Sequence, residues 1–167
     1  MRVVTLALVV LLSVWLQVSF LGAARPLGVL PNLLLVVVIY AGLAATATEA
    51  VAMALGGGIL LDVVSGTDFG LRMGFYSLLA LVIIMIKRAG ANFDNIGLVL
   101  LSTIGGTVAY NAAVITGLML AGASLPVSVG AVRVGLETVI NLILVLLAGR
   151  LLVRLFKAGG MKQELGR

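Results

Sequence analysis

The chain has 167 residues, of which 62% are hydrophobic and 10% are charged, and its formal net charge is +5. Soluble domains average about 25% charged residues, and a short soluble chain leaves much of its surface in water. The composition therefore excludes a soluble globular domain and indicates a protein embedded in lipid. The sequence contains neither Cys nor His, which excludes disulfides, thiol or imidazole catalysis and the usual zinc ligands.

The apolar runs divide nearly the whole chain into segments of helix length. About 20 helical residues cross a hydrocarbon core of about 30 Å, so the chain has room for about six spans and no soluble domain. We predict an all-α integral membrane protein in which residues 1–167 form a single polytopic membrane domain. The predicted helices cover approximately residues 3–24, 27–45, 47–64, 69–86 and 95–121, and a last span covers approximately residues 131–156, with Leu125 to Gly130 near the interface.

The first apolar run, from Val3 to Ala24, admits two interpretations. It follows a basic N-terminus and ends in small residues, as a signal peptide does. The apolar region of a signal peptide is typically about 7–15 residues long, and this run is longer. We therefore favour an uncleaved first helix.

Small residues in the second and third helices predict close packing between helices. The second helix, from about Leu27, carries Pro31 in its first turns, where the missing N–H is least costly. Its stretch 41–45 is rich in small residues, and Gly56–Gly58 lies in the middle of the third helix. In lipid such residues let a neighbouring backbone approach. No Gly-Lys-Ser/Thr follows, so the glycines are not a phosphate-binding loop.

The third helix begins with a recognisable start signal. Thr46 and Glu49 match the Ser/Thr-x-x-Glu capping box, and a carboxylate suits the positive end of a helix dipole. We interpret Glu49 as a capping residue rather than as part of a transport pathway.

The turn between the third and fourth helices holds a concentration of glycine and charge. Asp62 and Asp68 bracket this turn, Thr67 or Asp68 is a candidate N-cap for the fourth helix, and Arg72 follows. We predict that Asp62 pairs with Arg72, because charges near lipid need partners. The pair either fixes the turn, with the carboxylate also accepting from turn N–H groups, or forms an outward docking or ligand pocket; the two roles are compatible.

The last two helices carry polar side chains at helical spacing. The fifth has a polar stripe, and in the sixth Arg133, Glu137 and Asn141 share one face. We predict an in-helix Arg133–Glu137 pair, with contact to a partner helix or a head group as the alternative. The stripe consists of Ser102, Thr103, Thr107, Tyr110 and Asn111.

The distribution of Lys and Arg predicts the orientation. With both termini cytoplasmic, eight basic residues lie inside and three outside, as the positive-inside rule requires. The inner set is Arg2, Lys87, Arg88, Arg150, Arg154, Lys157, Lys162 and Arg167, and the outer set is Arg25, Arg72 and Arg133. We interpret the basic face at 150–157 as an anchor for anionic lipid. The tail lacks aromatic residues for stacking bases, so no nucleic-acid site is predicted.

Catalysis finds little support in the sequence. A serine nucleophile needs a base, and there is no His. Asp62 and Asp68 lie in a turn beside Arg72, which does not favour an aspartyl dyad, and two carboxylates alone are weak evidence for a metal. We predict no catalytic residues, no cofactor and no metal.

Three segments match, in order, the motif pattern of a known family. Leu30–Leu34 (LPNLL) is similar to a Pro-Asn opening of an early helix, Gly57–Asp62 (GGILLD) to a Gly-x-x-x-Leu-Asp helix end, and Ser65–Leu71 (SGTDFGL) to a Ser-Gly-x-x-Phe-Gly turn. The chain thereby resembles the rod shape-determining protein MreD family. The length and the number of helices also fit.

The resemblance implies a non-enzymatic membrane component of the bacterial cell-elongation complex, located in the inner membrane. It would bind an MreC-type periplasmic scaffold, and through it connect to the MreB filament and the peptidoglycan synthases. The residues that the resemblance assigns to partner binding or to a structural turn are Pro31, Asn32, Gly58, Asp62, Gly66, Phe69, Gly70 and Arg72.

The same resemblance supplies an alternative function, that of a transporter subunit. The fold of the MreD family is similar to that of the substrate-binding subunits of energy-coupling-factor vitamin transporters. Such a subunit needs a pocket rich in aromatic and polar residues, whereas 5% of this chain is aromatic, with one Trp. Ala41 and Ala45 have a small-residue spacing that such subunits use for docking, although there it belongs to the first helix.

Overall fold

A computed structural model of the chain describes residues 2–21, 29–66, 70–90, 96–120, 122 and 127–158. Within these ranges 92% of the residues are helical and there is no strand. The described helices are α1 (Arg2–Trp15), α2 (Leu33–Ala44), α3 (Ala47–Ser65), α4 (Leu71–Arg88), α5 (Ile96–Leu120) and α6 (Val127–Ala158), and α1 continues as a π-helix over Leu16–Leu21.

Several of the described helices have the length and composition of membrane spans. Three described segments, Ala47–Ser65, Ile96–Leu120 and Val129–Phe156, are long and apolar enough to cross a bilayer. Two further apolar helices, over Val3–Ser19 and Leu33–Ala44, are shorter. The predicted all-helical architecture is therefore confirmed over the described residues.

Helix α2 forms the centre of the bundle. Every residue from Leu34 to Leu43 is buried, and α2 contacts each of the other five helices. A helix that is hydrophobic on all sides is stable only when it is surrounded. At 12 residues it is roughly 18 Å long, which is shorter than a hydrocarbon core of about 30 Å. Its first turn is buried within the bundle, as Leu34 and Leu35 show.

The small residues of α2 permit the predicted close packing. A Cβ atom added at Gly42 would lie 2.7 Å from Cγ2 of Ile83 in α4. The Lys87 ammonium group also donates a hydrogen bond to the carbonyl oxygen of Ala45, at 3.1 Å. Both contacts join the last turn of α2 to the last turns of α4.

The boundaries of α3 follow from its local sequence. Glu49 accepts a hydrogen bond from the N–H of Thr46 at 3.0 Å, and the Thr46 hydroxyl oxygen accepts one from the N–H of Glu49, which confirms the capping box. The helix ends at Gly66, whose φ of 63° belongs to the left-handed region that glycine adopts without strain.

One predicted boundary is wrong. Helix α2 begins at Leu33 rather than near Leu27, because proline lacks an N–H and disfavours helical geometry in the residue before it. Residues 27 and 28 lie outside the described ranges. Helix α6 runs without a break for 32 residues from Val127 and contains the predicted span from near Ala131.

Candidate functional site

The hairpin between α3 and α4 is held by Asp62, which is 1% exposed in the last turns of α3. Its Oδ2 accepts hydrogen bonds from the N–H groups of Gly70 at 2.9 Å and Met73 at 3.1 Å, and its Oδ1 accepts one from the N–H of Arg72 at 3.3 Å. The first N–H groups of a helix have no partner within it. Asp62 therefore caps α4 from the preceding helix. We call this arrangement of Asp62, Gly70, Arg72 and Met73 the Asp62 clasp.

An ion pair strengthens the clasp. Nη1 of Arg72 lies 3.4 Å from Oδ1 of Asp62, as the sequence predicted, and the arginine side chain is 21% exposed. The guanidinium also interacts electrostatically with Tyr110 of α5. Three backbone donors and one cation replace the hydrogen bonds to water that the Asp62 carboxylate loses on burial.

The predicted start of α4 needs correction. The N-cap position is Gly70, with a φ of 100°, and the helix begins at Leu71 rather than at Phe69. Glycine offers no side-chain cap, which is why the carboxylate of Asp62 takes that role. Thr67, Asp68 and Phe69 lie outside the described residues.

Gly58 brings the two backbones of the hairpin into contact. A Cβ atom there would lie 2.5 Å from Cα and 2.8 Å from N of Met73. A Cβ atom added at Gly57 would meet the Leu34 side chain, and one added at Gly56 would have nothing within 4 Å. The predicted close backbone approach is confirmed at Gly58, one turn before Asp62.

Asn32 joins three helices at the start of α2. Its N–H donates to Oδ1 of Asn141 in α6 at 2.8 Å, while its own Oδ1 accepts from Leu35 N–H at 3.0 Å and from the Tyr76 hydroxyl of α4 at 2.8 Å. Asn32, Tyr76 and Asn141 are all buried, as is the neighbouring Pro31. Asn32 is thus a structural hub.

The π-helical end of α1 contributes a further cap to α2. Oε1 of Gln17 accepts a hydrogen bond from the N–H of Leu34 at 2.9 Å, and Gln17 is buried. The first turn of α2 is therefore satisfied by side chains from α1 and α6 as well as by its own Asn32. Sequence reasoning did not assign Gln17 or Asn141 these roles.

Two residues of the polar stripe of α5, Thr107 and Asn111, bond to α6. Nδ2 of Asn141 donates to the Thr107 hydroxyl at 3.0 Å. One turn further along α5, Nδ2 of Asn111 donates to Oε2 of Glu137 at 3.1 Å and to the Thr107 carbonyl at 3.0 Å. Glu137 is therefore partnered by Asn111 of another helix, whereas Arg133, its predicted partner, is exposed.

An aromatic cluster connects the Asp62 clasp to this layer. The rings of Tyr76 and Tyr110 are stacked, with centroids 6.1 Å apart and planes 11° apart. Phe75 packs edge-on against both, with centroids at 5.7 and 5.2 Å. The cluster fixes the beginning of α4 against α5.

The described part of the chain offers little for chemistry. It contains no group of three or more Asp or Glu residues that could hold a metal. A groove of about 300 Å³ between α4 and α5 and one of about 430 Å³ between α1 and α3 have almost entirely apolar linings. Most of the buried polar side chains tie helices together, by bonding to one another or to the backbone of another helix, whereas Ser13 and Thr103 donate within their own helices.

The predicted site residues separate into two groups. Gly58, Asp62, Gly70 and Arg72 meet in and beside the Asp62 clasp, and Gly66 ends α3 next to it. Pro31 and Asn32 lie at the start of α2 and are connected to the clasp through Tyr76, three residues after Met73.

These features define a helical membrane protein built around a short central helix and a clasped hairpin. No family model matches the chain, and no curated protein or solved structure matches it either.

Proposed function

We propose that the chain is a non-catalytic membrane component of the bacterial cell-elongation complex, of the MreD type, and that it binds an MreC-type scaffold. The observation that carries the proposal is the Asp62 clasp. The residues that resemble the family's motifs perform a geometric task there, because the Asp62 carboxylate holds the start of α4 and Gly58 provides the backbone contact. A turn fixed in this way suits a docking role better than a catalytic one.

A rigid turn lowers the entropic cost of binding, because less has to be ordered when the partner arrives. Apolar side chains are exposed beside the clasp. Leu55, Ile59 and Val63 follow one another at intervals of four along α3, and Val63 is 61% exposed. In lipid, helices associate through close packing and not through a hydrophobic driving force. We assign this stripe, which we call the α3 stripe, to the single membrane span of the scaffold.

The proposed topology has six spans in the inner membrane with both termini in the cytoplasm. It is supported by the excess of Lys and Arg on the proposed inner side. The Asp62 clasp then faces the periplasm, where the soluble part of an MreC-type scaffold follows its span. Contact with the MreB filament and the peptidoglycan synthases is indirect, through the scaffold.

Co-expression with the MreC-type protein of the same genome tests the proposal. The complex is purified in detergent through a tag on this chain, with the transmembrane coupling protein of a vitamin transporter as control bait. We expect the scaffold to be recovered in a stoichiometric amount. Gly70→Leu, which forces a bulky residue to a φ of 100°, and the double variant Ile59→Ala, Val63→Ala should both reduce recovery, while the chain remains in the membrane.

Leu147→Ala is the matched control, since Leu147 is exposed on α6, away from the hairpin. It should leave recovery unchanged. Equal recovery with every variant would remove the docking role from the hairpin. Recovery of the coupling protein, or a vitamin found in the purified protein by mass spectrometry, would favour the transporter alternative.

A further inference from the structure

The two buried carboxyl groups of the described chain have opposite surroundings. Asp62 has three backbone donors and the Arg72 guanidinium. Glu137 is also deeply buried, at 5% exposure, but the one side chain among the described residues that donates to it is the neutral amide of Asn111. A buried anion needs several donors or an opposite charge to replace its lost hydration. The structure meets this requirement at Asp62 and not at Glu137.

Glu137 also lies far from either end of its helix. It follows Val127, the first described residue of α6, by ten residues, or roughly 15 Å. Asn111 precedes Leu120, the last residue of α5, by nine residues, or roughly 14 Å. In the proposed topology Arg133 lies on the outer side, and Glu137 with its partner Asn111 lies one helical turn further into the membrane, roughly 6 Å from Arg133 along α6. Ionisable groups at this depth are expensive and are expected to have a function.

The neighbours of Glu137 do not supply the missing charge. The charged and titratable groups that interact with it are Arg133 of α6, Tyr110 of α5 and Tyr76 of α4. Arg133 is exposed, one turn nearer the start of the helix, and the two tyrosines are neutral hydroxyl groups. Helix α2 contributes Asn32, which is neutral and bound to Asn141.

We propose that Glu137 and Asn111 form a proton-binding site in the membrane interior, and that the bound proton resides on the Glu137 carboxyl group. As a neutral acid, Glu137 keeps the hydrogen bond from Asn111 and loses the need for a counter-charge. Loss of the proton leaves an uncompensated charge at the contact between α5 and α6. This helix contact is therefore sensitive to protons.

Carbodiimide labelling tests the site on the full chain in lipid nanodiscs. Dicyclohexylcarbodiimide is apolar and adds to protonated carboxyl groups, and peptide mass spectrometry locates the adduct. We expect Glu137 to be labelled at least about tenfold more than Asp62, which is the internal control. Labelling should fall about tenfold per pH unit above the point of half-protonation. Glu137→Gln, a neutral isostere, should remain folded and lose the label.

Infrared difference spectra of the wild type and Glu137→Gln provide a second measurement that does not depend on reagent access. We expect the wild type to show the additional C=O band of a carboxylic acid at neutral pH. A carboxylate band in its place, or labelling of Asp62 equal to that of Glu137, would overturn the proposal. Labelling that falls with added NaCl at constant pH would also overturn it, because the site would then bind a metal cation.

Discussion

The backbone N–H of Asn32 donates a hydrogen bond to the side-chain oxygen of Asn141 at 2.8 Å, across 109 positions of sequence. The amide nitrogen of Asn141 donates in turn to the Thr107 hydroxyl. One side chain of α6 therefore satisfies the start of α2 and joins it to α5. Because α2 cannot satisfy its own first N–H groups, its position depends on a residue in the most distant part of the described chain.

Replacing Asn141 by Leu should destabilise the bundle. The substitution keeps the branching of the side chain at Cγ but leaves the Asn32 N–H group and the Thr107 hydroxyl without this partner, at a cost of about 1–3 kcal/mol. The free energy of unfolding, measured by steric trapping in bicelles, checks this. Thr138→Val is the matched control, because the Thr138 hydroxyl donates only within α6, to the carbonyl oxygen of Val134, and its loss should have little effect.

The Asp62 clasp predicts a ranking of two substitutions. Asp62→Ala removes the partner of three N–H groups and of a half-buried guanidinium, so we expect a loss of about 3 kcal/mol or more. Arg72→Met removes the cation, including its interaction with Tyr110, but leaves the backbone hydrogen bonds of Asp62 in place, so its loss should be clearly smaller. Thermal unfolding of both variants in the same detergent gives the order. A larger loss for Arg72→Met would mean that the ion pair, and not the helix cap, stabilises the hairpin.

The glycine triplet offers a test within three adjacent residues. Gly58→Ala places a methyl group against the backbone of Met73, which cannot turn aside as a side chain can, and should cost about 1–3 kcal/mol. At Gly56 there is open space, so Gly56→Ala should be neutral or stabilising by up to about 1 kcal/mol. Unfolding measurements on the two variants separate backbone contact from helix propensity. Equal effects would contradict the close approach at Gly58.

A double-mutant cycle tests Asn32 as a hub. Tyr76→Phe removes the hydroxyl that donates to Asn32 and keeps the ring that stacks on Tyr110, at a cost of about 1 kcal/mol. When Tyr76→Phe is combined with Asn141→Leu, the changes in unfolding free energy should deviate from additivity by about 0.5 kcal/mol or more, because both substitutions act on Asn32. Strict additivity in unfolding free energies would show that the two hydrogen bonds of Asn32 are independent.

Sequence reasoning was most successful where partners are close along the chain. The capping box at Thr46 and Glu49 spans three positions, and the Asp62–Arg72 pair spans ten. The capping box follows from local helix geometry, and the ion pair follows from the need of charges near lipid for a partner across a short turn. The all-α membrane class followed from composition, because lipid requires backbone hydrogen bonds to be satisfied within each segment.

The rest of the fold depended on how distant helices face one another. The sequence placed Glu137 and Asn141 on one face of α6, but it did not show that α5 lies opposite that face. Arg133 was therefore predicted as the partner of Glu137, whereas in the structure Asn111 donates the hydrogen bond to Glu137. The N-cap of α4 was predicted to be Thr67 or Asp68, whereas the carboxylate of Asp62, predicted only as an acceptor for turn N–H groups, caps the helix from α3.

During synthesis, the starts of α4 and of α2 obtain their hydrogen-bond partners at different times. Asp62 leaves the ribosome eight residues before Gly70, whose N–H group is the first that the carboxylate accepts from. The hydrogen bonds of the Asp62 clasp therefore need no residue translated after Met73. The N–H group of Asn32 obtains its partner only when Asn141 has been made, 109 residues further on. A nascent chain that stops before α6 can therefore complete the hairpin but not the centre of the bundle, and α6 acts as the closing element of assembly.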